Sequence, residues 1–382
     1  MRSREKDCWR PPGFQLRNPE VDVTPSRNTR GLVRRGACVT ALALPLALAA
    51  AACSSSSSSS GTSSGNPAAG SNTSYESPSA LAHPTKALCK KKSYTIGYDV
   101  FSGSQPFANL VTQGLVDAAK SIGCVKVLKT IDNENGPVAV GNLKTLVNEH
   151  IQGFVDFQVL AAYQSPIATE LKTAKIPGVA IVGANLPGSP NVGASNYTAS
   201  VDDGQYLAAQ AKSRFAGKVP YLLVGAEPSC GAICLQRYTG AVAGVKKVFP
   251  TLPKSHIIEV QTDGTETTAY NNTESALSTV PAGSVVLLTG VNDEVTGGMF
   301  KAAQARHITN SLVNSFGGDP YGLSQVCAQP THYVGAWYLE PTVWGASSLS
   351  VILDEINGLK VPSQVGIVGE EVTHTSSVAN CK

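Results

Sequence analysis

From residue 93 onward the chain alternates short, β-rich apolar runs with longer stretches whose apolar residues recur at helical spacing. The apolar runs fall near 94–100, 125–131, 153–159, 178–182, 219–224, 256–261, 284–289 and 310–316. Helical patterns lie between and after them, near 106–121, 137–150, 164–174, 202–214, 235–248, 267–279, 292–305 and 341–357. Strands that read as continuous hydrophobic runs are buried on both faces. Strict alternation with helices then implies parallel sheets covered by helices. Gln105-Pro106, Ser165-Pro166 and Asp202-Asp203 mark helix starts. Eight or nine such units fit one closed barrel or two open, doubly wound sheets, and the length suits either.

Upstream of residue 93 the pattern is different in kind. Arg34 and Arg35 precede an almost unbroken apolar run from Ala37 to Ala52, and small residues Ala50, Ala51 and Ala52 stand before Cys53. That is the layout of an export signal. Sixteen helical residues reach about 24 Å, short for a stable span of the hydrocarbon core. Transient insertion and cleavage fits better than a retained anchor. Cysteine after small residues and before Ser54–Ser60 resembles a bacterial lipobox, although Ala50 stands where that motif usually has Leu. The resemblance implies that Cys53 is acylated. Residues 1–53 are therefore expected to be leader and signal peptide. Residues 1–32, polar and rich in Pro and Arg, are expected to precede a true start at Val33. Residues 54–91, dominated by Ser, Gly, Ala, Asn and Pro, are expected to form a disordered tether. Gly61-Thr62-Ser63-Ser64-Gly65 lies inside that tether and lacks the strand and helix that a hydrolase elbow needs.

Nine cysteines change the picture of the folded part. Cys8 and Cys38 fall in the leader and Cys53 carries the expected lipid, which leaves Cys89, Cys124, Cys230, Cys234, Cys327 and Cys381. An even count in an exported chain points to three disulfides, with fifteen possible pairings. Cys89 and Cys124 precede the first two strands, which lie side by side in a parallel sheet, so their pairing is favoured. Cys230–Cys234 would close a very small loop, with a metal or redox pair as the competing reading. Cys327–Cys381 remains.

Charge excludes one class of partner. The net charge is +3, but residues 1–35 hold nine Lys and Arg against four Asp and Glu. The remainder is nearly neutral, so nucleic acid is not an expected partner. The chain carries no H-E-x-x-H, P-loop, paired C-x-x-C or G-x-G-x-x-G after a strand. Its six histidines are scattered. No enzyme activity, cofactor or metal is expected.

Several short motifs follow one another in a recognisable order. They are Tyr94-Thr95-Ile96-Gly97-Tyr98 with Gln105-Pro106-Phe107, then Gly114-Leu115-Val116-Asp117-Ala118-Ala119, then Lys175-Ile176-Pro177-Gly178-Val179. Asp202-Asp203-Gly204-Gln205, Arg237-Tyr238-Thr239-Gly240, Val291-Asn292-Asp293-Glu294 and Ile356-Asn357-Gly358-Leu359-Lys360-Val361-Pro362 complete the series. Over residues 93–362 the chain resembles the sugar-binding group of type I periplasmic binding proteins, the ribose- and galactose-binding class. That resemblance implies an α/β fold of two doubly wound parallel-sheet lobes joined by three crossing strands. One lobe would comprise 92–197 plus 341–362, the other 198–340 plus 363–382. It further implies a monomer on the extracytoplasmic face of the cell membrane. There it would bind a small polar, sugar-like solute between the lobes and deliver it to an ABC permease. A receptor that presents the solute to a membrane signalling partner is the alternative.

Strand ends nominate the residues that touch the solute. After the first strand come Phe101, Gln105 and Phe107, aromatic faces and an amide suited to a sugar. Gln158 and Tyr163 follow the third, and Asn185 the fourth. In the second half Arg237, Asn292, Asp319 and Glu340 are the candidates. Asp319 is equally readable as a helix cap before Pro320, and Asp293 as a cap for the helix after it. The chain also departs from the sugar binders. Gly183-Ala184-Asn185 stands where Asp-Arg is common, Ala108 replaces a second Phe, Leu235 replaces an Arg, and Gly317-Gly318 displaces Asp319. The pocket is therefore not expected to be a ribose or glucose site.

Overall fold

The computed structural model describes residues 78–182 and 186–381. Cys53, the leader and the tether up to residue 77 lie outside the described residues, as does Asn185. The first sheet holds β1 (Tyr94–Val100), β2 (Val125–Ile131), β3 (Gly153–Phe157), β4 (Gly178–Ile181) and β5 (Asn191–Gly193). The second holds β6 (Tyr221–Ala226), β7 (Ile257–Gln261), β8 (Val286–Gly290), β9 (Ser311–Gly317) and β10 (Tyr333–Tyr338). Two short late strands, β11 (Gln364–Gly366) and β12 (Glu370–Val372), close one edge of each sheet.

The strand orders, β11-β5-β4-β3-β1-β2 and β12-β10-β9-β8-β6-β7, are the same pattern used twice. All pairings are parallel except β12 on β10. In each sheet the chain reverses direction of travel between the first and third strands, β1 and β3 or β6 and β8, which is where doubly wound folds open a crevice. The chain passes between the sheets three times, at 193–196, 338–341 and 366–370.

Helices cover both faces of each sheet. α2 (Pro106–Ile122), α3 (Gly136–Asn148), α4 (Gln164–Ala174) and α10 (Pro341–Ile356) clothe the first. α5 (Asn196–Arg214), α6 (Ala232–Val248), α7 (Glu266–Leu277), α8 (Asp293–Ala305) and α9 (Pro320–Ala328) clothe the second. α10 is buried along most of its length, with Trp344, Leu349 and Ile352 inside the core.

Four expectations about boundaries need correction. The tether does not run to residue 91. Residues 78–81 form a short helix, α1, whose Leu81 is buried and accepts from Ser350 Oγ of α10 at 2.6 Å. Apolar burial orders this segment despite its polar composition. Residues 363–382 do not all belong with the second half, because β11 pairs with β5 of the first sheet. Asp202-Asp203 does not open a helix. α5 begins at Asn196, and Asp203 is a buried mid-helix carboxyl that accepts from Thr289 Oγ1 (3.1 Å) and Asn314 Nδ2 (2.8 Å). Ser165-Pro166 lies inside the first turn of α4, whose N-cap position is Tyr163. The cysteines pair as Cys89–Cys124, Cys230–Cys234 and Cys327–Cys381.

Candidate solute-binding site

A cavity opens where the carboxyl ends of the two sheets face each other. Phe101 and Phe157, after β1 and at the end of β3, meet edge to face with ring centres 4.8 Å apart. Phe107 stands in the first turn of α2, set edge-on against the buried Trp344 at 5.3 Å. Val159 and Val182 complete the apolar wall on that side. From the opposite side come Ile233, Phe316 and the Cys230–Cys234 disulfide. Leu339, on the second crossing, closes the back.

Polar groups are set into this apolar shell by local backbone rules. Gln105 is the N-cap of α2, and Pro106 fixes the first helical position. Its Oε1 accepts from Ala108 N–H at 2.8 Å, which leaves Nε2 free to donate across the cleft to both carboxylate oxygens of Glu294, at 3.2 and 3.3 Å. Asn292 caps α8 by accepting from Val295 N–H at 2.8 Å, and its Nδ2 donates to Gly264 O at 2.9 Å. The cap is thus Asn292, not Asp293. Asp293 is buried and accepts from Ser315 Oγ and from Asp319 N–H. Burial, with Asp319 beside it, pushes its carboxyl well above the usual range. Arg237 donates through Nε to Asn196 Oδ1 (2.8 Å) and through Nη1 to Val291 O (2.6 Å), with the guanidinium 4.9 Å from the Phe316 ring centre. Burial lowers its pKa to about 10, so it stays charged at neutral pH.

Two carboxylates absent from the sequence-based candidates also line the cavity. Glu134 follows β2 and Glu227 follows β6. Burial, with Glu227 and Asp263 nearby, pushes Glu134 up to about 6. Burial also raises Glu227, and Ser229 Oγ donates to its Oε1 at 3.0 Å. The same strand-end rule that nominated Phe101 points to Glu227, which directly follows β6, whereas Glu134 lies three residues beyond β2. Phe157 and Phe316 were harder to see, because each completes an apolar strand run.

Of the residues nominated from sequence, Phe101, Gln105, Phe107, Arg237 and Asn292 come together in the cavity wall. The other described candidates lie elsewhere. Gln158 is turned inward, donating to Asp132 Oδ2 (3.0 Å) and accepting from Leu160 N–H (2.8 Å). Tyr163 packs its ring against Gly136. Asp319 is fully buried and caps α9 through Gly322 N–H at 2.9 Å. Glu340 occupies the N-cap position of α10 in a left-handed conformation and makes no side-chain cap bond.

Residues 78–360 match the family described as the periplasmic binding protein domain. The chain belongs to that family. Solved structures share the fold. An ABC transporter periplasmic solute binding protein from Actinobacillus succinogenes with bound D-allose is 17% identical, with a TM-score of 0.63 over 75% of this chain and 99% of that one. An ABC transporter solute binding protein from Mycobacterium smegmatis with bound glycerol is 17% identical, with a TM-score of 0.66 over 76% and 97%. The Caulobacter myo-inositol binding protein is 16% identical, with a TM-score of 0.64 over 76% and 96%. A search of curated proteins found no match. Within this periplasmic binding protein the lobes already touch. The Gln105–Glu294 bond spans the cleft. A Cβ on Gly231, which holds a left-handed φ of 67°, would lie 2.8 Å from Ala161 Cβ of the other lobe.

Proposed function

We propose that this chain is an extracytoplasmic solute-binding lipoprotein that serves an ABC-type importer, held to the membrane through Cys53. It takes a small polar, sugar-like solute between its lobes. The observation that carries the reading is the cavity itself. It lies at the crevices of both doubly wound sheets and combines aromatic walls with an amide (Asn292), a guanidinium (Arg237) and carboxylates. Ring faces can stack on the apolar face of a sugar, while the polar groups exchange hydrogen bonds with its hydroxyls. Phe101, Gln105, Phe107, Arg237 and Asn292 are the proposed contacts. Solute spanning the cleft favours the closed arrangement by its differential affinity for it.

A thermal-shift screen of the purified protein, disulfides intact, against sugars, polyols and amino acids tests this reading. A ligand at 100 times its Kd adds about 2.7 kcal/mol of stability, a readily measured rise in Tm. A well-folded sample with no response across the panel would count against solute capture. The anchor has its own test: Cys53→Ala is expected to move the protein from the membrane fraction to the soluble fraction. Unchanged membrane association would refute the lipid at Cys53.

A further inference from the structure

Glu134 and Glu227 approach the same cavity from opposite lobes, each just beyond the carboxyl end of a strand. Neither takes part in an ion pair among the described residues. Among the described residues Glu227 has one hydrogen-bond partner, Ser229 Oγ, and the Glu134 side chain has none. Asp263 adds a third negative group near both. Arg237, the one cation among the described residues of the wall, offsets part of the Glu227 charge, but two of its nitrogens are committed to Asn196 and Val291 and its plane to Phe316.

Closure of the lobes therefore brings like charges towards each other around a space walled largely by aromatic and aliphatic carbon. A neutral sugar would donate hydroxyls to these carboxylates and leave their repulsion in place. A positive centre between them removes it, and like-charge juxtaposition then acts against solutes that lack such a centre. A calcium or magnesium ion suits the space poorly, because it requires six or more oxygen ligands, and the walls are mostly carbon. An ammonium group suits it better. It donates a few strong, charge-assisted hydrogen bonds to carboxylates and is attracted to the faces of Phe rings.

We propose that the solute carries a protonated amine on a hydroxylated body, an amino sugar or amino polyol, with the ammonium held between Glu134 and Glu227. This inference rests on the solute-binding reading above and narrows it. The hydroxyls of the body then fall to Arg237 and Asn292, and its apolar face to Phe101 and Phe107.

Calorimetric titration of the full chain with near-isosteric pairs tests it: glucosamine against glucose, galactosamine against galactose, and glucamine against sorbitol. At least one amine is expected to bind about tenfold or more tightly than its neutral partner, with affinity falling as salt is raised. Glu134→Gln and Glu227→Gln keep the side-chain shape. Each is expected to reduce that preference to threefold or less, while the Tm of the unliganded protein shows that the variant is folded. If the neutral member of every pair binds as well or better, the ammonium is wrong and solute capture stands. If no member of any pair binds the folded protein, the ammonium reading fails, and the wider thermal-shift panel decides solute capture separately. A calcium or magnesium salt alone that raises Tm, with the rise abolished by either Gln substitution, would overturn the ammonium in favour of a metal.

Discussion

The side chain of Asn292 accepts from Val295 N–H and donates to Gly264 O, so it fixes both the start of α8 and the loop after β7. Asn292→Ala should cost about 1–2 kcal/mol in urea unfolding through the lost cap and also weaken solute binding. Asn292→Ser restores a capping hydroxyl without the reach to Gly264. It should therefore recover most of the stability and little of the affinity. Equal recovery of both would mean that the side chain serves the helix alone. The residue was legible because it follows a strand and precedes a helix, and the same logic identified Gln105. It fails where a strand-end side chain turns inward. Gln158 satisfies Asp132 and its own turn, a partnership between residues 26 apart that no local pattern encodes. Glu134 was missed for the converse reason. It sits on a left-handed turn with a φ of 57°, in an Asn-Glu-Asn-Gly stretch that reads only as a loop.

At the scale of elements, each lobe rests on a pair of helices packed backbone to backbone. In the first, Gly114 of α2 abuts Thr342 at the start of α10, and Gly345 of α10 abuts Val111 of α2. In the second, Gly204 of α5 abuts Ala241 of α6, and Gly244 of α6 abuts Val201 of α5. Any Cβ at these four positions would meet a backbone carbonyl, which cannot move aside as a flexible side chain would. Gly244→Ala is accordingly expected to lower unfolding free energy by about 1–3 kcal/mol, measured by denaturant titration, while Gly141→Ala, at an exposed helical position of α3 with open space around the added Cβ, should cost nothing. A neutral Gly244→Ala would show that α5 and α6 are not in close contact. Long elements were legible because period and length agree. The apolar runs at 94–100 and 125–131 coincide with β1 and β2, and the helical pattern at 164–174 with α4. The elements missed are short or interrupted. β5, β11 and β12 have three residues each, too few to show a period. β10 is broken by a register shift between Tyr333 and Gly335, and α9 spans only nine residues behind Pro320. Their existence depends on sheet neighbours brought from far along the chain.

At the scale of the whole molecule, buried carboxyls set an unusual pH dependence. Glu294, which holds Gln105 across the cleft, is pushed up to about 7 by burial and by Asp319. It also feels Asp293 and Tyr321 through the same cluster. Burial likewise raises Asp132 to about 7, with Asp99 beside it, Asp203 to about 8 and Glu355 to about 7. Each binds a proton in the folded state at pH values where the unfolded chain has released it. Their contribution to stability is therefore present below the ordinary carboxylate pKa and lost as pH rises through 7 to 8. Asp263 and Glu266 are shifted the other way, so their contribution fades only in more acidic solution. Between pH 5.5 and 8 the raised groups dominate. Unfolding free energy should fall with rising pH, by up to about 1.4 kcal/mol per pH unit for a fully buried group such as Asp203 that keeps its proton when folded and has lost it when unfolded, and by less for Asp132 and the partly exposed Glu355. Denaturant unfolding at pH 5.5 and pH 8 measures the slope. Glu294→Gln keeps an oxygen to accept from Gln105 and removes the titration, so it should flatten part of the slope and stabilise the protein most at pH 8. A flat or rising profile in the parent protein would mean that these carboxyls are ionised when folded. The cleft would then hold more negative charge than Arg237 offsets, which would strengthen its demand for a cationic occupant.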